Sequence, residues 1–599
     1  MASATPHEGA ATRKYSHDDS ASLSDSIAPY DPERGRVPTN PNLGQELSRT
    51  MSQRVQNVES IYAESQKSTT PLPTMGGGRP YPPLLPDRGP YEVQFDGPDD
   101  PIHPFNWAFR RKIIICGALA LSAFSVSMGS AMFSASSNQL MEHYHIGWTP
   151  ATLGTTLFVF GFASGPVIWG PLSELFGRRI VLIISCFGYV CFNFATAVSK
   201  DIQSIMICRF FAGFIGAAPL VVAPAAFTDM YTSKYRGLAI TVFVVTIFAG
   251  PMMAPILGAF TVKNHALGWR WTCYFTGIVG AFSLILVVVL FPETYAPIIL
   301  KEKAETLRRR TKNWGIYAPH DEFTLTLKEI CEKNITRPLV MLFTEPILFM
   351  VTLYNAFVYG ILYMFLTAIP LIFQGLYHWR SGVAQLPYIA MLLGAFIGGA
   401  IGCAFEYHYG LEEEREGYLK PEKKLIPLII GGFVFTAGIF WLGWGGAFGN
   451  KVHWIVPTIG AVPVGMGLIL IFLPCFNYII DCYLIYAASA IAGNTFLRSA
   501  FGAAFPLFTK QMFTNMKVKW ASTLIGGLAA IMIPVPVFFY IYGDRFRLRS
   551  KYSVDMRELK KEMSGSADQD EADLAEAEVR NYPIKEELQE AEAENRPLT

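Results

Sequence analysis

Twelve apolar stretches, each long enough for the roughly 20 residues that cross a ~30 Å hydrocarbon core, constrain this chain more than any other feature. They run 113–135, 151–172, 180–199, 203–225, 237–260 and 270–291, then 346–371, 384–405, 425–445, 454–476, 484–508 and 517–541. A polar segment, 292–345, containing KEKAETLRRRTK, divides them into two sets of six. Inside lipid the backbone must satisfy its own hydrogen bonds, so such stretches are read as helices. The expected fold is an all-α membrane protein: two six-helix bundles, 93–291 and 346–541, joined by the linker 292–345. Only 16% of the residues are charged, against about a quarter in soluble domains, although the ends are polar.

Orientation follows from Lys and Arg in the connections, because positive loops stay in the cytosol. One side carries Arg110, Arg111 and Lys112, then Arg178 and Arg179, Lys234 and Arg236, the basic linker, Arg415, Lys420, Lys423 and Lys424, and finally Arg545, Arg547, Arg549 and Lys551. The other side holds only scattered cations. The linker and both termini are therefore expected in the cytosol. The first hundred residues contain no apolar run of signal-peptide length, so the first span itself would target the chain. Residues 1–92, rich in Ser, Thr, Pro and Gly, read as a disordered tail, because they lack the apolar surface that offsets chain entropy. Residues 542–599 read as an acidic cytosolic tail. The sequon at Asn334 falls in the linker, out of reach of glycosylation.

Several function classes are excluded. A net charge of +1 offers no general attraction to nucleic acid, and no Gly-rich phosphate loop is present. The nine cysteines show no CxxC and no metal spacing, so neither a metal nor a cofactor is expected and the thiols read as packing. Ser, His and Asp residues form no nucleophile pattern, which argues against an enzyme.

The polar residues that remain cluster in motifs. In GPLSELFGRR, 170–179, Gly170 and Gly177 permit close approach and a tight turn, and Glu174 can pair with Arg178 or Arg179. This resembles the loop signature of the major facilitator superfamily. The resemblance implies that the acid and bases latch the cytosolic helix ends in one access state and release them in the other; Glu174 stands where the consensus has Asp. Arg209, in CRFFAGFIGAAP, puts a cation about a third of the way into an apolar span, at a cost of ~2.5–3.5 kcal/mol on insertion scales. The family associates this Arg with proton coupling. TDMYTSKYRG, 228–237, resembles the second charged cytosolic motif, with Asp229 and Arg236 available to pair with the first loop. GPMMAPILGAF, 250–260, resembles the antiporter signature, in which Gly250, Pro251, Pro255 and Gly258 let the helix bend and touch a neighbour.

FDGPDDPIHPFNW, GWRWTCYFTG, FPETYAPIIL and IYAASAIAGNTFLRSAFGAAFPLF extend the resemblance, from about 93 to 550, to fungal twelve-span drug/proton antiporters. It implies a proton-coupled exporter of small amphipathic organic molecules working by alternating access, in the plasma membrane or else the vacuolar membrane, as a monomer. A dedicated exporter of one metabolite or organic acid, a proton-coupled importer and a non-transporting nutrient sensor stay open as alternatives. Secondary transporters bind substrate near the midplane between the halves, which selects Asn355, Tyr359, Tyr363 and Thr367 in span 7, Asn494 and Arg498 in span 11, and Phe158 and Phe162 in span 2. No Asp or Glu lies mid-span, which fits a neutral or weakly acidic substrate better than a polyamine. Asp229, Glu174 and Asp481, at helix ends, are the candidate proton carriers.

Overall fold

The computed structural model describes residues 91–553 apart from 98, 265, 312–313, 323–335, 417–418, 484–485 and 551. Residues 1–90 and 554–599, the middle of the linker with Cys331, and the first two sequon positions lie outside the described residues. Every expected apolar stretch overlies helix. Ten runs hold one span each: α1 Phe109–Met132, α2 Trp148–Leu175, α3 Arg178–Val198, α4 Ile202–Met230, α5 Ser233–Lys263, α6 Arg270–Leu290, α7 Pro346–Phe373, α8 Pro387–Glu416, α9 Ile426–Ala447 and α10 Ile455–Cys482.

The last run, Ala487–Arg547, has 61 residues and as one straight helix would reach ~90 Å, three times the hydrocarbon core. Instead Lys517 breaks it, with φ 62° and ψ 158°, a backbone region that only glycine enters without strain. The part before Lys517 is α11 and the part after it α12, so ten runs and two make twelve spans.

The helix ends have local causes. Asp201 caps α4 by accepting from the Ser204 N–H at 3.2 Å and its hydroxyl at 2.7 Å, satisfying a donor the helix cannot. Gly177, at φ 92°, makes the turn from α2 into α3 that a side chain would strain. Within the first bundle α2 and α4 meet at Gly213, where a Cβ would stand 2.1 Å from the Phe158 carbonyl oxygen. Small residues at such crossings let backbones approach where lipid supplies no hydrophobic drive between helices. In the second bundle α7 is buried along nearly its whole length, whereas α6 exposes most of its apolar side chains. That burial makes α7 a central helix and α6 a lipid-facing one. Cys186, Cys273, Cys475 and Cys482 are buried as packing residues, but Cys191 is exposed on α3.

The chain packs as two units. The large one comprises His103–Tyr295 and Leu325 onward, and so contains all twelve spans. The small one joins the chain up to Ile102 to Ala296–Thr324. Within the small unit Glu92 bridges to Tyr317, with Val93 N–H to Tyr317 O at 2.9 Å, and Val93 packs on Ala304 and Ala318. Lys303 ties the helix Ala296–Thr311 to Gln94 O at 3.0 Å and Asp96 at 3.2 Å. Buried Arg308 bonds Ile316 O and Asp321, each at 3.2 Å.

Candidate functional site

At the linker-side end of the first bundle, the α2–α3 turn meets the end of α4. Buried Arg178 donates from Nε to Asp229 Oδ2 at 3.3 Å and from Nη1 to Ser173 Oγ at 2.6 Å, and its guanidinium lies 4.7 Å over the Tyr295 ring. The backbone N–H groups of Arg178 and Arg179 donate to Glu293 at 3.0 and 3.1 Å, so a carboxylate sits on the positive end of α3. Burial first, and then the charge of Glu174, push the Tyr295 phenol above its ordinary value. Glu174 itself is exposed: the partner of Arg178 is Asp229, not Glu174. At Gly170 a Cβ would meet nothing nearer than Val221 Cγ1 at 3.9 Å, so the close approach expected there is absent and Gly177 alone is sterically required. Arg179 donates to Val288 O at 3.1 Å.

Arg209, 1% exposed, has no acidic partner among the described residues. Its Nε donates to Gly154 O and an Nη to Gly129 O, both at 3.0 Å, and it lies between the rings of Phe158 at 4.2 Å and Phe133 at 4.7 Å. It therefore pins α1 and α2 to α4. Phe158 and Phe162, ring centroids 5.1 Å apart, pack with Val126, Tyr189 and Ala212 inside the first bundle. They form packing around Arg209 rather than the substrate-facing wall expected of them.

On α5, Pro251 has no N–H for the carbonyl four residues back, Ile247. The hydroxyl of Ser127 on α1 donates to that oxygen at 2.7 Å. Gly250 and Gly258 face α1 closely, since a Cβ would stand 2.8 Å from Met128 N and 2.9 Å from Met132 O. Pro251 and Pro255 both lie inside the helix.

Between the halves α1 and α5 face α7, α10 and α11. Ser130 on α1 shares a 2.7 Å hydrogen bond with Tyr363 on α7, and Tyr363 lies 3.4 Å, hydroxyl to hydroxyl, from Tyr359. Phe248 of α5 packs edge-on against Tyr359 at 6.1 Å and Phe472 at 4.8 Å. Arg498 of α11 stacks over Tyr359 at 4.7 Å and Phe472 at 5.1 Å, and its Nε has no hydrogen-bond partner among the described residues. Asn355 donates to Asn494 at 3.2 Å, while Asn355 Oδ1, Thr352 Oγ1 and Ser499 Oγ are buried without partners. Thr367 is buried one turn beyond Tyr363 on α7. α7 and α11 thus each bring buried polar atoms without hydrogen-bond partners among the described residues to this junction.

The halves also touch at both ends. On the linker side Gly237 of α5 abuts Glu406 of α8, and a Cβ there would stand 2.4 Å from the carboxylate. Asn477 donates to Glu406 at 2.7 Å, Lys424 pairs with Asp481 at 2.5 Å, and Arg236 lines the same small cavity. At the opposite end Lys510 of α11 lies 4.2 Å over Trp148 of α2, and Gly382 faces the Phe260 ring of α5. Among the described residues no group of His, Cys, Asp and Glu could hold a metal ion.

The family model described as Major Facilitator Superfamily matches residues 119–506. The chain belongs to the major facilitator superfamily. It is 62% identical to a Candida albicans protein named "Major facilitator superfamily multidrug transporter FLU1", over 88% of this chain and 86% of that one. It is 49% identical to the Candida glabrata "Multidrug transporter TPO1_2", over 85% and 87%. Among solved structures it resembles the human organic anion transporter MFSD10 (TM-score 0.51, 13% identity, 71% of this chain and 99% of that). It also resembles the proton:xylose symporter XylE (TM-score 0.51, 16% identity, 74% and 97%). At such identities the structures speak for the fold alone. A chain of this superfamily is a multi-pass membrane transporter, not an enzyme.

Within the facilitator fold several contributors were not singled out by the sequence. Glu293 and Tyr295 sit in FPETYAPIIL, a string that carries the family resemblance but assigns neither residue a role, and Ser127 and Ser130 are small polar residues in an apolar helix. Phe248 and Phe472 could be told from other buried aromatics only by which helices cross. The contact of Glu406 with Gly237 joins segments far apart in sequence.

Proposed function

We propose that the chain is a proton-coupled efflux transporter that exports small amphipathic organic molecules by alternating access, with substrate held between α7 and α11. One observation carries the reading: Arg498 presents an unpartnered Nε beside two aromatic faces where the two halves meet. A buried donor without a partner costs about 1–3 kcal/mol, and a bound acceptor recovers it. Tyr359, Tyr363 and Phe472 supply the apolar surface, Asn355, Asn494 and Thr367 the polar contacts. The absence of an acid from this cluster favours neutral or weakly acidic compounds. The names of the relatives support drugs as the substrate class.

In this reading the Arg178–Asp229 latch and the Gly237–Glu406 contact hold the linker-side entrance shut and part when it opens, with Gly177, Arg179, Glu174 and Arg236 around them. Asp229 carries the proton or responds to it, and Arg209 positions the bundle that couples to it. Gly250, Pro251, Pro255 and Gly258 let α5 flex against α1. The two bundles, 93–291 and 346–541, move about the linker as units of a monomer, with linker and termini in the cytosol, in the plasma membrane. A potential of 100 mV adds ~2.3 kcal/mol per charge to the pH gradient, which suffices to concentrate a compound outward.

The test is efflux of radiolabelled azole, organic acid and polyamine from cells expressing the chain, with and without a protonophore. Export of the azole or the acid that the protonophore abolishes is expected. Export that survives the protonophore would overturn the coupling, polyamine as the preferred cargo would overturn the substrate class, and no flux at all would favour a sensor.

A further inference from the structure

A cavity of about 470 Å³ in the large unit lies away from the central cluster, at the ends of α7, α9, α11 and α12 opposite the linker. That volume is in the range of small-molecule sites. Leu371, Leu376 and Phe513 supply an apolar floor, and Lys517, Lys519 and Trp520 line the rest; no acidic side chain contributes. Lys517 forms no ion pair among the described residues, and its backbone sits in the strained conformation that breaks α11 from α12. Lys519 is likewise without an acid, its ammonium resting 4.3 Å over the Trp444 ring. Trp444, Phe448, Trp454 and Trp520 are all exposed around this end, as aromatic residues are at the level of lipid headgroups.

A cavity that is apolar within, doubly cationic at its rim and set at headgroup depth matches a molecule with an anionic head and an acyl tail. We propose that this cavity binds an anionic amphiphile from the leaflet opposite the linker, its phosphate or carboxylate between Lys517 and Lys519 and its tail against Leu371 and Phe513. Neither lysine belongs to the proposed transport site, so the inference stands apart from the substrate reading.

Lipid binding to the purified full chain, read by native mass spectrometry in neutral detergent, tests it with three probes. These are phosphatidylglycerol, phosphatidylcholine with the same tails, and inorganic phosphate. Two cations near an anionic head predict a preference for phosphatidylglycerol over phosphatidylcholine of about tenfold or more. Phosphate alone should not displace the lipid, because it lacks the tail. The Lys517→Gln/Lys519→Gln pair should shrink the preference to about twofold or less, and Lys517→Arg/Lys519→Arg should keep it, which separates loss of charge from loss of fold. Equal binding of the two lipids, a preference that survives the Gln pair, or displacement by phosphate at matching concentration would each overturn the proposal.

Discussion

Arg209 and Arg498 bring the same charge into the same membrane, yet their surroundings differ in kind. Arg209 donates to two backbone carbonyls and lies between two rings, so its insertion cost is met by the protein itself. Arg498 has rings on its faces but an idle Nε. Arg209→Ala should therefore cost stability, about 2 kcal/mol from two interhelical hydrogen bonds and the cation–π contacts, seen as a lower melting temperature in detergent. Lys at 209, one compact ammonium without the fork, should not restore it. Arg498→Gln should leave melting within about 1 kcal/mol of wild type while raising the KM for an exported drug about tenfold, one hydrogen bond to a charged group being worth roughly that. Equal melting losses in the two variants would contradict the contrast. That both arginines need partners was legible in the sequence, since a cation in an apolar span needs an explanation. Which one is satisfied was not, because the carbonyls of Gly129 and Gly154 carry no side-chain signature.

At the scale of the helix, hydropathy alone located the spans to within several residues, because a ~30 Å slab sets their length regardless of neighbours. Steric detail was less visible. Gly170 and Gly213 look alike as letters, but only Gly213 sits where a Cβ would strike a neighbouring backbone. Gly213→Ala should destabilise by about 1–3 kcal/mol through overpacking, whereas Gly170→Ala should fall within about 0.5 kcal/mol of wild type; thermal unfolding of the purified variants decides. The break at Lys517 has the opposite sign. Glycine there should relieve about 1 kcal/mol of backbone strain and raise the melting temperature, although it removes one of the two cations at the cavity; a lower melting temperature would show the conformation to be unstrained.

For the whole molecule, the contacts that join the two halves link segments far apart in sequence: Ser130 with Tyr363, Gly237 with Glu406, Trp148 with Lys510. Composition and motif fixed the family and pointed to α7 and α11, but could not say which residues of the other half face them, since that depends on how the bundles dock. Alternating access requires the linker-side contact to form and part. Gly237→Leu, whose side chain would displace the Glu406 carboxylate, should hold that end open: cysteines placed in the entrance should label several-fold faster from the linker side, and net transport should fall at least tenfold. Unchanged labelling would show that the contact does not gate. In the proposed cycle a drug held in the α7–α11 cluster leaves in exchange for a proton taken up at Asp229. The most direct test of this exchange is paired measurement of drug flux and internal pH in proteoliposomes carrying the wild type or Arg498→Gln under an imposed pH gradient. Wild type should drive the drug against its own gradient while protons move the other way, and Arg498→Gln should lose most of both fluxes; drug movement indifferent to the pH gradient, or unaltered in the variant, would rule out this exchange.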